Sequence, residues 1–226
     1  MARVLAVGPH PDDVEIGMGG TIGLLRAQGH DVVICDLTNG EPTPLGTPQR
    51  RAQEAAEAAR LLDVRRITLD FPNRALEATL EARRALAEVI REVRPNVLCL
   101  PYWVDAHPDH VAACAIGEAA RFWAKLTKTD MRGAPHYPAR VYHFFSTHYR
   151  LHVQPAFVVD ITPYMDTKMA AVAAYASQFS DARGTSWILD AIRTTCAYYG
   201  QLIGRPFGEP FACREVIGVA RWDGLI

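Results

Sequence analysis

Neither sign of charge dominates this sequence of 226 residues: 24 Lys and Arg stand against 25 Asp and Glu, for a formal net charge of -1. A partner such as nucleic acid or an acidic membrane surface needs a basic field, so neither is expected. No apolar run reaches the roughly 18 residues that a membrane span requires. The cysteines are five, an odd number, and they sit far apart in apolar runs such as VVICDL and VLCLP. That excludes a disulfide framework and a thiolate metal site, and leaves small buried hydrophobes. The opening MARVLAVGPHPDD has one basic residue and a short apolar run that meets acidic residues where a cleavage site would stand. It reads as a buried strand rather than a leader, and a cytoplasmic protein is expected. Repeats, low-complexity tracts and linkers are also missing, so one domain over 1–226 is expected.

What is present is an alternation of strands and helices. Ala2 to Gly8, Asp31 to Leu37, Arg66 to Leu69 and Asn96 to Pro101 are short apolar runs bounded by turn residues. Between them lie helical patterns at Val14 to Gln28, at Pro48 to Leu62, where proline suits the first turn of an Ala-rich helix, and at Leu80 to Val93. A helix from Asp109 to Ala124 follows the fourth strand. Continuously apolar strands separated by helices imply a sheet covered on both faces. The fold class is therefore α/β: a Rossmann-like three-layer α/β/α sandwich with a mainly parallel central sheet. Lys125 to Pro138 reads as a loop. The last third predicts strands at Arg140 to Phe145, Phe157 to Ile161 and Glu215 to Ala220, with helices at Pro163 to Ser177 and Trp187 to Gly200.

Two clusters carry the chemistry. Pro9-His10-Pro11-Asp12-Asp13, with Glu15 close behind, follows the first strand, and His107-Pro108-Asp109-His110 follows the fourth. Ligands of open α/β sheets bind outside the carboxyl ends of the strands, where two such clusters can converge. A catalytic zinc takes three ligands from His and carboxylate and leaves a position for water. His10, Asp13 and His110 supply that set, one ion per chain, and iron(II) or cobalt(II) suits the same donors. Asp12 stays free as general base, and His107 can stabilise the oxyanion and protonate the leaving group, with Asp109 orienting its ring. Asp in the first turn of a helix is also an ordinary cap, and His-Pro loops occur without metal; two clusters at two strand ends favour the metal. The other histidines (His30, His136, His143, His148, His152) read as surface or structural residues.

PHPDD after one strand and HPDH after a later one resemble the PIG-L/LmbE-like zinc-dependent N-acetylglucosaminyl deacetylases. The likeness extends to PHPDDVEIGMGGTI, CDLTNGEPTPLGT, Arg51 and Glu54 in R-x-x-E, PNRAL and YASQFS. It is most similar to the branch that deacetylates N-acetylglucosaminyl-L-malate in bacillithiol biosynthesis. The resemblance implies zinc at His10, Asp13 and His110, Asp12 as base, His107 and Asp109 as the acid and oxyanion pair, and Arg51 as a substrate-binding residue. It also implies a small acetylated amino sugar as substrate and a homo-oligomer, as in hexameric relatives. Phe207 stands where relatives carry an oxyanion-stabilising tyrosine, and Ala106 where the bacillithiol type tends to have arginine.

Three other readings compete. Deacetylation of another sugar, such as N,N'-diacetylchitobiose, needs the same site. A dinucleotide-binding protein is disfavoured, because Gly8-Pro9-His10-Pro11-Asp12 puts bulky and acidic groups where a pyrophosphate needs glycines. A non-catalytic metal- or sugar-binding module has no use for Asp12 and His107.

Overall fold

The computed structural model describes residues 1–219. Five strands, β1 (Arg3–Gly8), β2 (Asp31–Thr38), β3 (Arg65–Phe71), β4 (Val97–Pro101) and β5 (Arg140–Phe144), alternate with helices α1 (Asp13–Ala27), α2 (Pro48–Leu61), α3 (Leu80–Val93) and α4 (Pro108–Ala124). Then come β6 (Phe157–Asp160), α5 (Met165–Ala173), α6 (Trp187–Leu202) and β7 (Gly208–Ala212). The sheet order is β3-β2-β1-β4-β5-β7-β6. β1 to β5 are parallel neighbours, and β7 pairs antiparallel with both β5 and β6. The expected three-layer sandwich and mainly parallel sheet are what the chain forms.

Alternation along β1 builds both cores. Leu5 and Val7 pack with Leu86 and Ile90 of α3 and Ile116 of α4, whereas Val4 and Ala6 pack with Val14 and Ile22 of α1 and Ala58 of α2. Helix starts follow local chemistry. Thr47 caps α2 by accepting from Arg50 N at 3.2 Å, with Pro48 in the first turn, and Thr79 caps α3 through Ala82 N at 3.1 Å. Among the described residues no helix is long and apolar enough to cross a membrane.

Helix α1 is broken at Met18 (φ -149°, ψ 21°) by a buried ion pair. Lys168 Nζ donates to the carbonyls of Glu15 and Ile16 and lies 2.6 Å from Glu209 Oε1. The Glu209 carboxylate accepts from Gly20 N and Thr21 N at 3.0 and 2.6 Å. The ammonium thus ends one short helix and the carboxylate starts the next, each at the pole that suits its charge. Gly17 sits in the break, where an added Cβ would run into the Phe144 ring, so the α1 backbone packs directly on that ring.

Two predicted elements are corrected. The last strand is Gly208–Ala212, not Glu215 to Ala220: residues 215–219 form no strand and Ala220 lies outside the described residues. Pro210 hides it. A proline disfavours a central strand, but β5 pairs only with Phe211 and Ala212, so Pro210 has a neighbour on one side alone. The helix predicted to Ser177 ends at Ala173, because Ser177 N and Oγ bond the buried Glu54 carboxylate (2.8 and 2.5 Å) instead of continuing the ladder.

Candidate active site and metal centre

The strand order reverses between β1 and β4, and the crevice beyond their carboxyl ends is where such sheets bind ligands. Both clusters meet there. His10 Nδ1 lies 3.0 Å from Asp13 Oδ2, His110 Nε2 lies 3.4 Å from Asp13 Oδ1, and the three side chains are nearly inaccessible. The ligating atoms of His10, Asp13 and His110 fall within 4.8 Å of one another. The Nε2 atom of buried His110 has no hydrogen-bond partner, a costly state for a polar group that a bound cation would relieve. Two imidazoles and one carboxylate suit zinc, so the residues fit the implied metal.

Carboxylates surround the ligands from behind. Asp109 Oδ2 is 3.1 Å from His10 Nε2, and Asp105 Oδ2 is 2.7 Å from His110 Nδ1, the arrangement that orients metal-binding histidines. Ser146 Oγ donates to Asp13 Oδ1 at 2.7 Å. Burial alone would depress the basicity of His10, but Asp109 and Asp13 overcome it and raise its pKa to about 10. Burial opposes charge on His110 too, and Asp13 and Asp105 raise its pKa. Asp13, although buried, is held well below the usual carboxylate range by His110 and His10. The carboxylates of Asp13, Asp105 and Asp109 thus favour positive charge on both imidazoles.

These raised histidines make metal binding depend on pH. Metal must displace the proton on His10, whose pKa of about 10 keeps it protonated across neutral pH. Apparent metal affinity should therefore rise roughly tenfold per pH unit per proton released between about pH 6.5 and 8.5. Competition with a chromogenic chelator measures it, and a pH-independent affinity would refute it.

Around the triad lie the groups that can move protons. Asp12 borders it from the start of α1, with burial pushing its pKa up to about 6 against the pull of Arg51. A base poised near neutrality suits proton abstraction. The His107 ring stands 4.9 Å from those of His10 and His110, centroid to centroid. Its Nδ1 accepts from Asp109 N at 3.2 Å, which assigns the proton of the neutral ring to Nε2. Burial, and the cationic character of His10 and His110, lower its pKa. All open onto one cavity of about 1000 Å³ that runs from the triad to a wall formed by α6 and the segment 145–153.

Residues 5–121 match the PIG-L family, GlcNAc-PI de-N-acetylase. The chain belongs to this family. It is 34% identical over 225 residues to the diacetylchitobiose deacetylase of Thermococcus kodakarensis, covering 92% of this chain and 81% of that one. Among solved structures it superimposes on a conserved protein of Thermus thermophilus with TM-score 0.90 and 36% identity, covering 99% of each chain. The N,N'-diacetylchitobiose deacetylase of Pyrococcus horikoshii follows with TM-score 0.82 and 28% identity, covering 100% of this chain and 89% of that one. The chain is an amide hydrolase of the N-deacetylase type.

Within this PIG-L fold three of the expected residues have definite partners. The Asp109 carboxylate bonds His10 and the backbone N–H groups of Arg74 and Leu76 (2.7 and 3.2 Å), while the Asp109 N–H donates to His107 Nδ1, so one residue contacts both rings. Arg51 lines the cavity yet is only 3% exposed, and its Nη2 donates to Pro11 O and, at 2.8 Å, to Asp12 Oδ2. Phe207 packs against the small core of Ile161, Met165 and Ile192 and does not line the cavity, which Tyr149 and Tyr199 do.

Sequence reasoning missed Asp105, Ser146 and His148. Asp105 stands two residues before His107, close enough to HPDH that a search for carboxylates behind metal-binding histidines finds it. His148 is half-exposed, its ring 5.3 Å from that of His107 and 5.0 Å from that of His110, held by its N–H to Asp105 Oδ1 at 2.8 Å. No local pattern marks it or Ser146. Glu15 is not at the triad but in a buried group with Arg66, Asp36 and Tyr175. A further cluster of Cys114, Glu118 and His143 already holds a cation, with Arg214 Nε 2.5 Å from Glu118.

Proposed function

We propose that the chain is a zinc-dependent deacetylase that removes the N-acetyl group from N-acetylglucosamine joined to a second unit, releasing acetate. The convergence of His10, Asp13 and His110 beside Asp12 and His107 carries this reading. A divalent metal held by the triad supplies Lewis acidity, polarising the acetyl carbonyl and a water beside it. Asp12 accepts the proton of that water as it attacks. His107 donates a hydrogen bond from Nε2 to the developing oxyanion, and the proton taken up by Asp12 passes to the nitrogen that leaves as the free amine. Asp109 and Asp105 hold the ligand rings, and Ser146 holds Asp13.

The cavity is large enough for a sugar with an attached group. A neutral second sugar, as in N,N'-diacetylchitobiose, is the substrate we favour, on the strength of the Thermococcus relative and because Arg51 is committed to Asp12. The malate conjugate is the second reading, favoured by Arg74 and Arg150, which line the cavity and form no ion pair among the described residues. Homo-oligomers remain part of the proposal, supported by Trp187, Tyr198 and Leu202 left exposed on α6. A free-amine assay across both conjugates decides the aglycone. The expected result is a kcat/KM for the disaccharide at or above that for the malate conjugate, and a strong preference for malate would reverse the order.

A further inference from the structure

Asp12 occupies the N-cap of α1, where an Asp side chain ordinarily turns back to accept from the N–H groups of the first turn. Here it makes no such bond. Its backbone stands at φ 120°, a region that residues with a Cβ avoid and that persists only when the surroundings impose it. The surroundings that do so are visible. Arg51 Nη2 binds both the carbonyl of Pro11 and Oδ2 of Asp12, fastening the peptide before the strained residue and the side chain upon it.

The guanidinium is itself fixed. Its carbon lies 5.2 Å from the ring centroid of Tyr175, and the peptide N–H of Arg51 bonds Thr47 O at 2.9 Å in the capped first turn of α2. Gly40, at φ +75°, leaves it room: a Cβ there would stand 3.1 Å from both Arg51 Nε and Pro11 Cδ. One helical turn on, Glu54 braces Ser177, two residues from Tyr175, so R-x-x-E and YASQFS form one support around this arginine.

We infer that Arg51 is a positioning residue: it draws the Asp12 carboxylate away from the helix cap through Oδ2 and leaves Oδ1 facing the cavity. No described residue donates a hydrogen bond to Oδ1. The inference rests on Asp12 being the general base. It goes further by assigning Arg51 to the base instead of to the substrate, so its loss acts on turnover whatever the aglycone.

The test is a double-mutant cycle on N,N'-diacetylchitobiose with Arg51→Met, Asp12→Asn and the double variant, each checked for metal content and thermal unfolding. Arg51→Met should lower kcat roughly ten- to a hundredfold with KM within about threefold and metal content unchanged. In the Asp12→Asn background the same substitution should cost less than about twofold, because the partner it positions is gone. Arg51→Lys, which keeps the charge and can reach one of the two acceptors, should recover part of kcat, and it carries the same comparison if Arg51→Met does not fold. A raised KM with kcat unchanged would make Arg51 a substrate contact and overturn the inference. Full additivity in the double variant would overturn it too while leaving Asp12 as base. Turnover retained in Asp12→Asn alone would instead overturn the general-base reading.

Discussion

Asp12→Asn should keep its metal and lose turnover by roughly two to four orders of magnitude. The amide preserves the shape of the carboxylate and can still meet Arg51, but it cannot take a proton from water. The three ligands do not include Asp12, and their supports are Asp109, Asp105 and Ser146, so metal content should stay at one per chain. His107→Ala should behave in the same way, because His107 lines the site without belonging to the ligand triad. Elemental analysis and a free-amine assay on one preparation separate the two properties. Loss of metal in Asp12→Asn would make it a ligand, and near-normal turnover would remove it from proton transfer.

The convergence of the two clusters was readable in the sequence because it depends on residue type and on strand ends. PHPDD and HPDH each follow an apolar run, and an alternating α/β pattern fixes where such runs deliver their loops. The strands β1 to β5 and helices α1 to α4 lie within two residues of the positions their periodicity predicts. Less legible was anything decided by a distant partner. Asp109 stands in HPDH beside His107, yet its carboxylate meets His10, 99 positions away. Arg51 lies on a helix face that tolerates either rim or interior, and Asp12 draws it inward. The break in α1 falls where Lys168 and Glu209 reach its backbone from 152 and 189 positions along the chain. Local patterns report periodicity and side-chain chemistry; they do not report which of several carboxylates a cation finds. The same limit hid β7, whose Gly208 and Pro210 look like loop until β6 pairs with them.

The site also shows why the family motifs outside the metal clusters occur together. Glu54, Ser177, Gln178, Thr43 and Glu41 form one chain of hydrogen bonds joining α2, the turn after α5 and the loop after β2. Each piece alone is an ordinary polar surface pattern. Joined, they hold the helix that carries Arg51 and set Thr43 and Gln178 against the cavity.

The central claim, a deacetylase whose chemistry requires one metal at His10, Asp13 and His110, is tested most directly by a single titration. Protein stripped with a chelator is given zinc stepwise while free amine released from N,N'-diacetylchitobiose is measured. Activity should be near zero in the stripped protein, rise in proportion to added zinc and level off at about one equivalent per chain, because the residues assemble one three-ligand set with an open position. His10→Ala and His110→Ala should bind no stoichiometric zinc and stay inactive throughout, since each loses one of three ligands. Turnover that persists in the stripped wild type, or full activity in either histidine variant, would contradict the metal centre on which the whole reading depends.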